Sequence, residues 1–410
     1  MKNSFLKQYS LSQAFRTANS SEKLFYILLL FNIIVVLIPT WKGSFIARYM
    51  DIEDFVSLAN RIARFLNLII ALLLITKHPA KQSPIFKVSL ILLGVMFLPK
   101  LANFTFEEAT QPIDFFIFNV ALFCSFKPSC LHTNIFKIVT LLFVIWSIAP
   151  VLYFPIAPAS DKMMLYATDP DASDLATTFC GFAKHRNVYG YYCSVAFILT
   201  LFSDYKKYLK AILLTIMGIG LFMAASRSNM IGLAVAVVYY YFFTGSFKQK
   251  IVFTAIVAAI IYYGYGVAVS TESRILEGGG RDDINRSSYE LFIQSPIFGY
   301  GKGTATNITN YRGGKLPPHN YIFSTLLDYG IVALIPFLIF LFILYKVSGR
   351  KSRTFLLYIY TVGISQPCFG LYSPAQIQLI IFLLVIAFNA KQDVEKKKKF
   401  KHLVYHARNR

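Results

Sequence analysis

The sequence predicts an all-α, polytopic membrane protein with about 12 transmembrane helices and both termini in the cytoplasm. Hydrophobic residues make up 56% and charged residues only 15% of the 410, and the mean hydropathy is +0.54. A water-soluble globule carries roughly a quarter charged residues. Apolar runs of near-spanning length recur from end to end, separated by short polar connections. The charges, finally, fall on alternate connections in the pattern that a membrane imposes.

The apolar runs are 24–40, 63–76, 85–99, 113–126, 135–153, 188–203, 208–225, 229–244, 251–268, 321–345, 354–369 and 373–389. Several are shorter than the ~20 residues that a perpendicular helix needs, so flanking residues must extend them. The polar, basic stretch MKNSFLKQYSLSQAFRTANSSEK ahead of the first run has no apolar core of a cleavable signal, so the first span is expected to direct insertion. Neither an internal repeat nor a soluble domain interrupts the series, so residues 1–410 read as one integral membrane domain.

With the N-terminus inside, the cytoplasmic segments hold 26 of the 41 Lys and Arg but only four of the 20 acids, Glu22, Asp204, Asp393 and Glu395. Almost the whole +21 formal charge therefore sits on one side, as the positive-inside rule requires. That distribution makes the basic balance a topological label and excludes a nucleic-acid partner. The tail Lys396 to Lys399 reads first as a solvated positive-inside tail, the alternative being contact with anionic inner-leaflet lipid, worth about 1 kcal/mol per basic residue near the surface. The five cysteines, Cys124, Cys130, Cys180, Cys193 and Cys368, have no metal-ligand spacing and read as buried small apolar residues.

Two outer loops are long enough to hold structure, 154–187 and 269–320, the larger one between helices nine and ten. The first is acidic, with Asp161, Asp169, Asp171 and Asp174, and ends in Lys184, His185 and Arg186. The second carries an amphipathic helix expected around Ser287 to Gln294, a turn at Ser295, Pro296 and the glycines of FGYGKG, and the sequence PPHN.

The residues capable of chemistry cluster at this outer face. Arg227, in AASRSN, lies between apolar runs so close together that only a tight turn joins them. A cation there marks a functional site by default, the alternative being snorkelling to headgroup phosphates. Arg281 follows Gly278, Gly279 and Gly280 and precedes Asp282 and Asp283. Glycines let backbone amides approach an anion, and a guanidinium clamps phosphate oxygens in pairs. A flexible loop with the arginine salt-bridged to aspartate fits those residues equally well. Arg286, expected on the same short helix, competes for the clamp. His319, after Pro317 and Pro318, stands just before a helix expected to start near Asn320 or Tyr321, where the N-terminus favours the neutral imidazole of a general base; a purely structural histidine fits the position equally well. Arg286, His185, Arg186 and Asn320 are the substrate-binding candidates. Asp169 and Asp171 lack a nearby histidine, so no metal is expected, and no Walker loop, dinucleotide fingerprint or nucleophile elbow points to a cofactor.

Three blocks recur in a familiar order: SRSNMIGL around Arg227; GRDDINRSSYELFIQSPIFGYGKG, in which Arg281 precedes Pro296 by 15 residues; and PPHNYIFSTLLDYGIVAL. Together they cover the second half of the chain, which resembles the O-antigen ligases and related O-antigen polymerases, membrane glycosyltransferases that act on lipid-linked sugars. The resemblance implies metal-independent, inverting transfer of a glycan from undecaprenyl pyrophosphate at the periplasmic face of the bacterial inner membrane, in lipopolysaccharide biosynthesis. It implies that Arg227 and Arg281 stabilise the departing pyrophosphate and that His319 takes the proton of the acceptor hydroxyl. Asp328 stands where the family often has Glu, and Asn285 where it usually has Trp. The span count and loop layout fit a ligase, whose acceptor is a sugar of the lipid A-core. A polymerase accepting a lipid-linked repeat, a protein O-oligosaccharyltransferase and a lipid-linked glycan flippase remain the alternatives. The flippase is expected to show paired helix interruptions in two halves and charges at the membrane midplane, and neither is visible in the sequence.

Overall fold

A computed structural model describes residues 130–168, 177–183, 185–247, 250–251, 281–301, 310–311, 314–315, 318 and 320–364, with isolated helical positions between 16 and 94. The expected spans 24–40, 63–76, 85–99, 113–126, 373–389 and nearly all of 251–268 lie outside the described residues. What is described is mostly helical. Among the described residues two helices, Asn134–Tyr153 and Tyr321–Lys346, are long and apolar enough to cross a membrane. The described residues fall into two compact units, with 130–226 in one and 227–364 in the other.

In the first unit, α1 (Cys130–Tyr153), α3 (Arg186–Phe202) and α4 (Lys207–Met223) pack on one another, joined by the short α2 (Ala159–Leu165) and the antiparallel hairpin β1 (Tyr166–Thr168) and β2 (Thr177–Phe179). Two buried hydroxyls of α1 are satisfied within the helix: Thr140 and Ser147 donate to the carbonyls of Phe136 and Phe143 at 2.8 and 2.7 Å. Tyr189 of α3 is the pivot: it is fully buried, and its hydroxyl donates to the Ser147 carbonyl at 2.7 Å. Gly220 of α4 faces it so closely that a Cβ would lie 2.8 Å from the Tyr189 oxygen and 3.0 Å from Val151. The hairpin seats on α3 through an aromatic cluster in which Phe154, Tyr166 and Phe179 meet edge to face, with Phe179 5.4 Å from Tyr189. Neither hairpin of this fold is foreshadowed by the apolar periodicity, because each is only two or three residues per strand.

In the second unit, α5 (Arg227–Thr244) packs on α8 (Arg350–Gly363). Gly232 permits the approach, since a Cβ there would stand 2.5 Å from Val362, and the buried Tyr358 hydroxyl donates to Asn229 Oδ1 at 2.6 Å. α6 (Arg281–Gln294) packs on α7 (Tyr321–Val347), with the two-residue strands β3 (Asn310–Tyr311) and β4 (Gly314–Lys315) between them in sequence. The helix expected around Ser287 to Gln294 is thus a full turn and a half longer, and opens at Arg281 itself.

The apolar run 321–345 is two helices rather than one. At Gly330, φ is 71° and ψ is −172°, so the backbone leaves helical geometry inside α7. Before the break every residue from Ser324 to Gly330 is buried, including Thr325 and Asp328; after it, Ile331, Ile335, Leu338, Ile339 and Phe342 are exposed along one side. The 17 residues from 331 to 347 extend about 25 Å, close to a hydrocarbon thickness.

Candidate functional site

In the first unit, the KHRN segment starts α3. His185 is the N-cap: its Nδ1 accepts from the Asn187 amide at 3.1 Å, which puts the proton of the neutral ring on Nε2. Arg186 is the first helical residue and is half-buried. Asn187 turns its side chain the other way, and its Oδ1 accepts from the buried Ser226 hydroxyl at 2.9 Å. Sequence reasoning passed over both Asn187 and Ser226, although each directly adjoins a residue it singled out. Lys184, Asp169 and Asp171 lie outside the described residues.

The turn joining α4 to α5 is as tight as the spacing of the apolar runs demands. Ala224 and Ala225 donate to the carbonyls of Gly220 and Phe222, and Ala225 holds φ at 48°, a left-handed conformation that costs a residue with a Cβ roughly 1–2 kcal/mol. This turn delivers Arg227 as the first residue of α5, exposed, with no acid in the helix's first turn. Arg227 has no ion pair among the described residues.

Arg281 is likewise the first residue of its helix; its side chain lies outside the described residues. Arg286 follows on the same helix, and its Nε pairs with Glu290 at 3.2 Å, both side chains well exposed. A surface pair of this kind is worth about 0.3–0.5 kcal/mol, too little to keep Arg286 from an anionic ligand. His319 lies outside the described residues, and Asn320 beside it is the N-cap of α7, accepting from the Ile322 amide at 2.8 Å. The expectation that this helix begins at Asn320 or Tyr321 is met.

α6 and α7 are joined through the break at Gly330. In an unbroken helix the amides of Ile331 and Val332 would donate to the carbonyls of Leu327 and Asp328. Here the loop after α6 takes all four groups: Ile331 and Val332 donate to Pro296 and Ile297 at 2.9 and 3.4 Å, while Tyr300 and Gly301 donate to Leu327 and Asp328 at 2.7 and 2.9 Å. A buried backbone group left bare would cost about 1–3 kcal/mol, so break and loop require each other. Gly299 and Gly301 hold φ at 66° and 92°, and a Cβ on Gly299 would lie 2.6 Å from the Leu327 oxygen. The sequence carried a signal for this, a glycine inside an apolar helical run, which usually marks a close backbone approach.

Residues 212–338 match a family model described as O-Antigen ligase, a segment that contains Arg227, Arg281, Arg286, His319 and Asn320 but not His185 or Arg186. No curated protein matches the chain.

Proposed function

We propose, from the match of residues 212–338 to a family model described as O-Antigen ligase, that the chain transfers O-antigen polysaccharide from undecaprenyl pyrophosphate to a sugar hydroxyl of lipid A-core, at the periplasmic face of the inner membrane. Arg227 carries the proposal: an exposed guanidinium at the start of α5, in a helix whose first turn has no acid. A cation at a helix N-terminus is disfavoured by about 0.3–1 kcal/mol, and a bound anion reverses that term. A lipid-borne diphosphate is an anion of the right kind to meet both the guanidinium and the free amides of the first turn.

In this reading the acceptor oxygen attacks the anomeric carbon on the face opposite the diphosphate. The bond from carbon to the diphosphate oxygen breaks, the leaving oxygen keeps the electron pair, and His319 takes the hydroxyl proton. Arg227 and Arg281 act on the leaving group, where charge grows during reaction, so their effect is greater in the transition state than in the bound substrate. No metal is needed for the leaving group when two guanidiniums serve it. His185, Arg186 and Arg286 bind substrate outside the reacting centre. A flippase is disfavoured by the break in α7, which loop backbone fills, whereas a transporter's broken helix presents its ends to a cavity.

A strain deleted for the chain tests the proposal by what accumulates. Long glycan on the undecaprenyl carrier is the expected result. A core bearing a single repeat would identify a polymerase instead, and a short lipid-linked repeat stranded on the cytoplasmic face a flippase.

A further inference from the structure

We infer that the 296–301 loop and Gly330 form a backbone clamp that fixes the arginine-bearing helix α6 on α7, making Gly299, Gly330 and Tyr300 positioning residues for transfer. This rests on the reading of Arg281 as a ligand of the leaving group. The loop is bound firmly to its own helix: Tyr300 donates its hydroxyl to the Leu291 carbonyl at 2.8 Å, Ser295 donates to the Gly299 carbonyl at 2.9 Å, and the Gly299 amide closes back on Ser295 at 3.2 Å. The other side of the same loop occupies the four backbone groups released at the break in α7. Loop and α6 thus move as one body, and α7 holds that body by directional bonds rather than by apolar contact alone.

The clamp stands between the residues that the reaction needs. Along α6 it is about 20 Å from Arg281, and along α7 about 12 Å from Asn320, at 1.5 Å per residue. A small rotation at the clamp is therefore magnified at the arginine end, and a misplacement of about 1 Å in a reacting group costs on the order of 100-fold in rate. The glycines are irreplaceable for a steric reason. A Cβ on Gly330 would lie 2.0 Å from the Ile297 oxygen, and on Gly299 it would meet three backbone atoms of 327–329 within 2.8 Å. Side-chain packing can give way, but these obstacles are backbone.

The experiment compares the full chain, in lipid nanodiscs, with Gly330→Ala, Gly299→Ala and the milder Tyr300→Phe, using Gly218→Ala as a control because nothing among the described residues lies within 4 Å of a Cβ there. Backbone hydrogen exchange is read over 296–301 and 327–332, and transfer from a lipid-diphosphate glycan is read as kcat and KM. The expected result is faster exchange in both segments together, a fall in kcat of tenfold or more for the glycine variants and a few-fold for Tyr300→Phe, with donor KM nearly unchanged. Gly218→Ala should match the native chain in both readouts. Faster exchange with undiminished kcat would overturn the positioning role, and lost transfer with native exchange would overturn the clamp as its cause. Should the glycine variants fail to insert, Tyr300→Phe decides alone on the same two readouts. If the native chain shows slow exchange at these amides yet transfers no glycan, the functional reading fails while the clamp stands.

Discussion

Replacing Arg227 by Ala should separate activity from stability, because the two respond to this side chain with opposite signs. The guanidinium is exposed and opens α5, whose first turn offers no acid, so it stands against the positive end of the helix dipole. Removing it relieves about 0.3–1 kcal/mol of unfavourable interaction, and the turn behind it, held by Ala224, Ala225 and the Ser226 to Asn187 hydrogen bond, is untouched. Thermal stability should therefore hold or rise slightly. For activity, loss of one preorganised donor to a developing oxyanion costs about 10²–10³ in kcat; an exposed resting position argues for the lower end, near 100-fold. Arg227→Glu sharpens the contrast, since an acid suits a helix N-terminus yet repels a diphosphate. It should be the more stable of the two variants and the less active. The assay is transfer from a lipid-diphosphate glycan in nanodiscs alongside thermal unfolding of the same sample. A kcat within threefold of native for Arg227→Ala, or activity that falls only in step with melting temperature, would refute the reasoning.

Three further outcomes are expected. Asn320→Ala should lose the cap of α7 and about 1 kcal/mol of stability, measured by thermal unfolding, while Asn320→Ser, whose hydroxyl can accept from the same amide, should recover most of it. Tyr358→Phe removes the hydroxyl's bond to the buried Asn229 oxygen and should destabilise by about 0.5–1.5 kcal/mol with donor KM unchanged, a pattern that a kinetic and melting comparison would show. Ile156→Trp should be quenched by lipids brominated high on the acyl chain, because Ile156, 80% exposed, prolongs the exposed stripe of Leu141, Ile145 and Leu152 beyond the end of α1; an unquenched, water-like emission would remove that turn from the membrane surface.

Where apolar residues are dense, the sequence was a good guide. The runs 135–153, 188–203, 208–225 and 229–244 each became a helix within a few residues of the expected bounds, since burial of a continuous apolar stretch leaves the backbone little other than a helix. The same logic hid the break at Gly330. Hydropathy averages across a span, and LLDYGIVAL reads as apolar helix whether or not one residue turns to positive φ. What fills the break arrives from a loop about 30 residues upstream, and no local pattern reports a contact of that separation. At the site, helix starts were legible at Arg227 and Asn320 from the turn spacing and the Pro-Pro-His-Asn lead-in. The capping role of His185 was not, because a histidine in a basic cluster looks the same in sequence whether its ring binds a ligand or an amide.

Helix polarity distinguishes two kinds of cation that charge counting merges. On the side assigned to the cytoplasm, Lys210 donates to the carbonyls of Leu201 and Ser203 at the end of α3, Arg350 to Phe243 near the end of α5, and Arg353 to Tyr345 and Lys346 at the end of α7. Helix C-termini supply free carbonyls and partial negative charge, so these cations find acceptors in the protein's own backbone. At the opposite ends of the same three helices stand Arg186, Arg227 and Asn320, where the free backbone groups are amides and the dipole is positive. At the start of α5 the backbone offers Arg227 no acceptor; it can only join the guanidinium in holding an anion. The positive-inside rule explains why the first set exists, and says nothing of the second. A cation that helix polarity opposes needs a reason from outside the helix, and under the proposed function a lipid-borne diphosphate is that reason for Arg227.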